Sequence, residues 1–344
     1  MAELGEVMMR EINEIPSVLA ALNKSFTKEH SAIKKLRNLD FHSVIILARG
    51  TSDNAAHFLK YLIEVNLGLP CGLASPSAAT LYQTDFNYRN TLVIALSQSG
   101  QSTDLLTFAN AAKAGGGFLL SITNNPESPL AKLSDQHIYI QAGAEVAVPA
   151  TKSYVAQLLA SYLLVNHLKN LPIRTEEIIE SVLSVNDKAG EILNFAEQLD
   201  VASPLYILGR GYSYPNAKEF ALKLQETCLI PVQGMSTSDF LHGPIASLTS
   251  NSQVVFISPE HTPDSAFGEA PELVRSKTAK VSWLGKGASN IGGEAVISAG
   301  NSFSEVEASI GDAILFQKVT HKVATKLGLN PDKPQGLNKV TITR

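Results

Sequence analysis

The chain has 344 residues, of which 44% are hydrophobic and 17% charged, and its formal net charge at pH 7 is −4. This length and composition favour two compact α/β domains with a large core and exclude a disordered or fibrous chain. The negative charge argues against a nucleic-acid partner, so an anionic ligand would need local donors and helix termini. The two cysteines, Cys71 and Cys228, form neither a disulfide framework nor a metal-ligand spacing, and we expect both to be buried thiols.

The N-terminus and the longest apolar stretch bear on localisation. Charged residues such as Glu3, Glu6 and Arg10 leave no apolar signal region near the N-terminus. The longest apolar stretch, residues 155–165, is too short to span a bilayer. We therefore expect a soluble, cytoplasmic protein with no membrane partner.

Predicted strands and helices alternate along the first half of the chain. Two short helices are predicted within residues 8–36, with a break at Pro16. The apolar run at 43–48 predicts a buried strand that leads, through a polar turn at 49–54, into a helix at 55–66. Further strands are predicted at 70–74, 91–95, 118–122 and 137–141, with a helix at 103–114. The alternation predicts a doubly wound parallel sheet, which binds ligands at the carboxyl ends of its strands.

The second half of the chain repeats the first. Residues 207–213 match residues 46–52, and a helical segment follows each, which predicts two copies of one fold in tandem. The second copy has predicted strands at 254–257, 279–284 and 295–298 and a closing helix at 306–327, and a helix pair at 175–199 links the copies. The proline-containing tail from residue 330 cannot be helical. The predicted divisions are N-terminal helices at 1–36, domains at 37–195 and 196–329, and a tail at 330–344.

A hydroxyl-rich turn follows the strand at 91–95. Ser97, Ser99 and Ser102 offer hydroxyl donors, Gly100 allows close approach of a ligand to the backbone, and the helix from Thr103 directs its first N–H groups at the turn. The turn matches neither a Walker loop nor a dinucleotide fingerprint. Two interpretations remain: a phosphate site or an ordinary serine-rich helix cap.

Five ionisable residues in the second half of the chain are candidates for chemistry. One face of a predicted helix contains Glu219, Lys223 and Glu226. Two interpretations are open: a solvated row of salt bridges, or groups that act as acid and base. His242 precedes Gly243-Pro244, which restricts the backbone enough to place the ring, although a lone histidine is more often structural. Lys339 in the tail would ordinarily be a solvated surface lysine.

Five motifs occur in a fixed order along nearly the whole chain: residues 97–100, 142–152, 221–226, 242–244 and 331–339. They resemble the double sugar-isomerase (SIS) family, in particular the isomerase half of glucosamine-6-phosphate synthases and the SIS-type glucosamine-6-phosphate deaminases. The resemblance implies an α/β fold of two flavodoxin-like SIS domains in tandem. It also implies that the tail closes the active site and that the protein is a homodimer with shared active sites.

The resemblance assigns a role to each candidate site residue. The residues expected to bind the substrate are Ser97, Gln98, Ser99, Ser102, Thr51 and Ser52 at the sugar phosphate, and Val148 and Ala150 along the sugar. The resemblance further implies that Glu226 moves a proton between C1 and C2 and that Lys223 assists at the developing enolamine charge. It implies that His242 of the partner subunit opens the pyranose ring and that Lys339 closes over the site. Departures from the family pattern are Ser102 for threonine, Pro149-Ala150 for Ala-Ser, and Gln225 for lysine.

The activity that this resemblance implies is an isomerising deaminase, which converts glucosamine 6-phosphate and water to fructose 6-phosphate and ammonia without a metal or organic cofactor. A glutaminase domain is not expected ahead of the isomerase half, which favours the deaminase over the synthase. Alternatives are a galactosamine-6-phosphate deaminase, a fructosamine-6-phosphate deglycase, a synthase-like isomerase without glutaminase, or a non-catalytic sugar-phosphate sensor. Glu226, His242 and Lys339 together favour an enzyme over a sensor.

Overall fold

A computed structural model describes residues 4–278, 280–286, 296–300 and 302–339, and the chain forms two compact units. The first-sheet unit comprises Ser17–Glu145, Lys152–Ile173 and the chain from Asn338. The second-sheet unit comprises the chain up to Pro16, Val146–Thr151 and Arg174–Leu337. Each unit contains one five-stranded parallel sheet, which confirms the predicted fold class. The sequence-based domain limits stay a prediction.

From residue 4, where the described chain begins, three helices rather than the two predicted precede the first strand. They are α1 (Glu6–Asn13), α2 (Ile15–Ser25) and α3 (Ser31–Arg37). The predicted break at Pro16 is wrong: the first break is at Glu14, and Pro16 is the second residue of α2. Proline fits there because the first residues of a helix have no intrahelical acceptor for their N–H groups.

The first sheet has the strand order β2-β1-β3-β4-β5. Its strands are β1 (Ser43–Leu47), β2 (Cys71–Leu73), β3 (Thr91–Ser97), β4 (Phe118–Thr123) and β5 (Gln136–Tyr139). The helices of this copy are α4 (Thr51–Leu62), α5 (Ser77–Thr80), α6 (Thr103–Ala114), α7 (Pro129–Leu133) and α8 (Lys152–Lys169). Every residue of the central strand β3 is buried, because helices cover both faces of a parallel sheet.

The second sheet has the order β10-β9-β8-β6-β7, the same order as the first when the strands are counted within each copy. Its strands are β6 (Leu205–Gly209), β7 (Val232–Ser236), β8 (Gln253–Ile257), β9 (Lys280–Leu284) and β10 (Val296–Ile297). The helices are α9 (Thr175–Ser184), α10 (Ala189–Gln198), α11 (Tyr214–Cys228), α12 (Thr237–Leu241), α13 (Ala270–Arg275) and α14 (Glu305–Lys326). This shared order confirms the predicted repeat.

The strand pairing puts the two copies in register. Val44 pairs with Leu92 in the first sheet, and Leu205 pairs with Gln253, each 161 positions later, in the second. Sequence analysis missed β7. Outside the described residues lie residue 279 and residue 295, where two of the predicted strands begin, and residues 340–344 of the predicted tail. The described part of the tail, residues 330–339, contains no helix, as predicted.

Two further sequence expectations concern the cysteines and membranes. Cys71 and Cys228 are buried, and burial raises the pKa of their thiols to about 12 and about 11. The prediction of two buried thiols is therefore confirmed, and a raised pKa lowers the fraction of reactive thiolate. Among the described helices, none combines the length and the hydropathy that a bilayer span requires.

Candidate functional site

The hydroxyls at the end of β3 and in the turn after it are oriented by the backbone of that turn. The Ser97 hydroxyl accepts a hydrogen bond from the Gly100 N–H at 3.1 Å, and the Ser99 hydroxyl accepts one from the Gln101 N–H at 3.3 Å. A serine hydroxyl that accepts in this way retains its own proton for donation. Within the described part of the chain, neither hydroxyl donates to a protein group, so both protons can be offered to an anion.

Gly100 is required at the centre of this turn. Its φ is +64°, a conformation that residues with a side chain rarely adopt. A Cβ atom at this position would also collide with the side chain of Ser128. The Gly100 carbonyl accepts from the Leu130 N–H at 3.2 Å, which holds the turn against α7. The turn therefore keeps a bare backbone surface that a ligand can approach closely.

Ser102 and Gln98 complete the loop of residues 97–102. Ser102 is the N-cap residue of α6, but its side chain makes no capping hydrogen bond. This argues against an ordinary serine cap and leaves the hydroxyl available beside the positive end of a helix of 12 residues. The Gln98 carbonyl accepts from the Asn124 N–H at 3.0 Å, which ties the loop to the end of β4.

A second turn lies at the same edge of the sheet, because β1 and β3 are neighbouring parallel strands. Gly50, with φ +57°, precedes Thr51 and Ser52, the first residues of α4. Buried Ser52 accepts a hydrogen bond from Gln157 Nε2 at 3.0 Å. The structure thus places both predicted phosphate-binding segments, 51–52 and 97–102, at one edge of the first sheet.

Lys339 lies at a buried carboxylate in the first-sheet unit. Its Nζ is 3.1 Å from Glu145 Oε2, and only 26% of the lysine side chain is exposed. Glu145 also accepts from the N–H of Ser153 at 3.0 Å and from its hydroxyl at 2.7 Å. The interpretation of Lys339 as a solvated surface lysine is therefore wrong. Its role in closing the site stays a prediction.

The charged row on α11 lies in the second-sheet unit and is largely buried. The Glu219 and Lys223 side chains are 0% and 1% exposed, and that of Glu226 is 24% exposed. Lys223 Nζ is 3.5 Å from Glu219 Oε1 and donates a hydrogen bond to Glu226 Oε2. The interpretation as a solvated salt-bridge row is wrong. Burying a charged side chain costs roughly several kcal/mol, which pairing with an opposite charge only offsets. Buried charged side chains are therefore more typical of a functional site than of a hydrophobic core.

His242 and the two predicted sugar-lining residues belong to the second-sheet unit. His242 ends α12 and is exposed, and its N–H donates to the Asp239 carbonyl at 3.1 Å. Gly243 follows with φ +152° and ψ −56°, which only glycine adopts easily, so the chain direction at the histidine is set. Val148 donates its N–H to the Asp332 carbonyl at 3.0 Å, and Ala150 is half-buried.

The predicted residues thus form two groups. The hydroxyl loop, residues 51–52 and Lys339 belong to the first-sheet unit, and Lys223, Glu226 and His242 belong to the second-sheet unit. Sequence analysis assigned no role to Glu145 or to Asn124, whose Nδ2 donates to the Gly143 carbonyl at 2.6 Å. An asparagine directly after a buried strand, and a glutamate within a run of small apolar residues, are the signals that could have found them.

Comparison with known proteins identifies both halves of the chain. The SIS domain model matches residues 39–167 and 198–295. A glutamine–fructose-6-phosphate aminotransferase (isomerizing) of Gloeobacter violaceus is 32% identical over 96% of this chain and 58% of its own length. The chain therefore spans less than two thirds of that relative.

Solved structures have the same fold. One of them is the C-terminal domain of glucosamine-fructose-6-phosphate aminotransferase from Francisella tularensis, with a TM-score of 0.86 and 25% sequence identity. The superposition covers 95% of this chain and 98% of that chain. Glucosamine-6-phosphate deaminase from Thermotoga maritima has a TM-score of 0.79 and 22% identity, with 98% of this chain and 100% of that chain covered. The second likeness establishes the fold alone.

Proposed function

The chain belongs to the SIS-domain family, and from this membership we propose that it is a phosphosugar isomerase of amino sugar metabolism that releases ammonia. The proposed reaction converts glucosamine 6-phosphate and water to fructose 6-phosphate and ammonia. The observation that carries the proposal is the hydrogen bond between buried Lys223 and partly exposed Glu226. A partly exposed carboxylate with an ammonium beside it is suited to accept and return a proton.

The proposed reaction gives each group of residues its own task. Ser97, Ser99 and the N-terminus of α6 would hold the phosphate, because they offer hydroxyl and backbone donors at one turn. His242 would open the ring. Glu226 would then take the proton from C2 and return it to C1, while Lys223 stabilises the enolamine. Water would hydrolyse the resulting fructose imine at C2, which breaks the C–N bond and releases ammonia.

The proposal includes a homodimer in which His242 serves the partner's site. Exposure of His242 on a turn with a set backbone direction is consistent with a group that acts outside its own subunit. Mixing His242→Ala protein with Glu226→Gln protein would then restore part of the activity, because some hybrid sites contain both intact groups. Proven subunit exchange without any return of activity would contradict the shared site.

Ammonia release from a panel of hexosamine 6-phosphates, with no glutamine added, tests the activity. We expect ammonia and fructose 6-phosphate in equal amounts from glucosamine 6-phosphate, and none with the Glu226→Gln variant. A preference for galactosamine 6-phosphate or a fructosamine 6-phosphate would change the substrate but keep the chemistry. Tight binding of these sugars without any turnover would contradict the enzyme and favour a sensor.

A further inference from the structure

An arginine connects the two turns at the phosphate edge of the first sheet. Arg49, the residue before Gly50, donates from Nε to Asp104 Oδ2 at 2.8 Å. Asp104 stands in the first turn of α6, two residues after Ser102, and its side chain is only 4% exposed, against 51% for Arg49. The pair therefore joins the segments 51–52 and 97–102, which are both proposed to bind phosphate.

The negative charge of Asp104 would weaken phosphate binding nearby, and Arg49 neutralises that charge. A carboxylate in the first turn of a helix stabilises the helix by itself. Asp104, however, lies two residues after the loop of residues 97–102, where the proposed dianionic phosphate would be bound. Asp104 Oδ1 also accepts from the Leu105 N–H at 2.9 Å, so this first-turn donor is already in use. Without a cation beside it, the buried carboxylate would repel a phosphate group. Arginine keeps its positive charge at every physiological pH.

The second copy has the arginine, but a serine stands at the position of its aspartate partner. Arg210 stands 161 positions after Arg49, whereas Ser265 takes the place of Asp104 and Glu260 that of Ser99. A loop that carries a carboxylate in place of a serine hydroxyl is not suited to phosphate. Among the side chains that the structure describes, the arginine–aspartate pair is thus found in the copy with the hydroxyl loop and has no equivalent at position 265 of the other copy.

We infer that Arg49 is a positioning residue of the phosphate site, which neutralises Asp104 and holds the N-terminus of α6 against the turn before α4. This inference rests on the proposed phosphate site. It predicts an asymmetry between the two partners: the arginine is needed because the aspartate is charged, whereas the charge of the aspartate is not needed for binding.

The test measures the dissociation constant of glucose 6-phosphate, and of inorganic phosphate, by calorimetry. Glucose 6-phosphate has the phosphate but no amine, so binding is measured apart from deamination. Arg49→Met should weaken binding about 10-fold or more, the size expected for loss of a charge-assisted interaction. Asp104→Asn should bind at least as tightly as wild type. The double variant should recover most of the affinity that Arg49→Met loses.

The matched control is Lys113→Met. Lys113 Nζ forms an ion pair of similar length, 2.9 Å, with Asp135 Oδ1, which immediately precedes β5 at the opposite end of the same sheet. Its removal should leave the affinity unchanged. Melting temperatures of all variants establish that they fold.

Each outcome decides the matter. Unchanged binding by Arg49→Met, or a loss in Asp104→Asn as large as that in Arg49→Met, would overturn the inference and leave the proposed function standing. The second result would mean that the pair is merely structural. Failure of the wild-type protein to bind either probe would overturn the proposed phosphate site, and the inference with it. If Arg49→Met does not fold, the Asp104→Asn result still decides between the two roles.

Discussion

The loops that follow β3 and β8 each contain a residue with positive φ at the same place, but their side chains differ. Gly100 has φ +64° in the first, and His261, 161 positions later, has φ +67° in the second. In the second loop Glu260 takes the place of Ser99, and its carboxylate binds Lys286 at 3.0 Å and the Ser302 N–H at 2.9 Å. The positive φ therefore recurs in both copies of the fold, whereas the suitability of the loop for an anion depends on its side chains.

The helices after β1 and β6 differ in the opposite way, because here the second copy carries the candidate functional residues. Phe58 and Leu62 of α4 are buried in the apolar core, whereas Glu219 and Lys223, which stand 161 positions later on α11, are buried charges. An apolar pair at these positions is compatible with the fold, as the first copy demonstrates. The charged pair is therefore not needed for folding, and this supports the proposed catalytic role of Lys223.

The largest expected effect comes from making α11 resemble α4. Lys223→Leu should reduce kcat by about 10²-fold or more and destabilise the protein by roughly 3–5 kcal/mol, because it removes the ammonium that faces buried Glu219. The double variant Glu219→Phe/Lys223→Leu should recover much of that stability and remain inactive. Steady-state kinetics and urea unfolding measure the two effects. Substantial turnover by the double variant would show that the charged pair has no part in the chemistry.

A smaller effect is expected from removing the hydroxyls of the first loop. Ser97→Ala and Ser99→Ala should raise KM much more than they lower kcat, because the phosphate is remote from the reacting carbons. Each lost hydrogen bond to a charged group corresponds to about 1.5–3 kcal/mol of binding. Ser258→Ala, at the place of Ser97 in the second copy, is the matched control and should leave KM unchanged. If KM is unchanged in both loop variants, the phosphate is bound elsewhere.

The third effect is on stability alone and concerns the second-sheet unit. Burial raises the pKa of Asp312 from its ordinary value of 3.8 to about 7, and its Oδ1 accepts from the Ala299 N–H at 2.9 Å. The folded state therefore keeps a proton that the unfolded state releases. The resulting contribution to the free energy of unfolding is fully present below pH 3.8 and is lost as the pH rises through about 7. Asp312→Asn cannot ionise and should lack this decline, which amounts to about 2–4 kcal/mol.

Denaturant titrations at several pH values measure this difference. The free energy of unfolding of wild type, relative to that of the variant, should fall between pH 4 and pH 7. A constant difference across this range would mean that Asp312 does not change its protonation.

Local signals in the sequence predicted some elements well and failed for others. Helix α6 spans Thr103–Ala114 as predicted, because a polar turn precedes it and glycines follow it. Strand β7, Val232–Ser236, was missed because it combines Gln233 and Gly234 with no apolar alternation. The repeat nevertheless implied it, since β2 occupies the same place beside β1.

The geometry of the candidate site was predictable only in part. The hydroxyl loop is contiguous in sequence, and its strand–turn–helix context indicated a phosphate site. The Glu145–Lys339 pair joins residues 194 positions apart, which no local pattern reveals. The burial of Glu219 and Lys223 was equally hidden, because charged residues at helical spacing usually face solvent.

The central claim is that Glu226 moves a proton between two carbon atoms of a phosphosugar. Proton exchange at C2 of glucosamine 6-phosphate in deuterated water, followed by NMR alongside ammonia release, tests it directly. Wild type should show both exchange and ammonia. Glu226→Gln preserves the shape of the side chain but cannot act as a base, so it should still bind the sugar and lose both signals by about 10²- to 10⁴-fold. Deamination by the variant at a rate near that of wild type would contradict the role of Glu226 and the isomerising mechanism together.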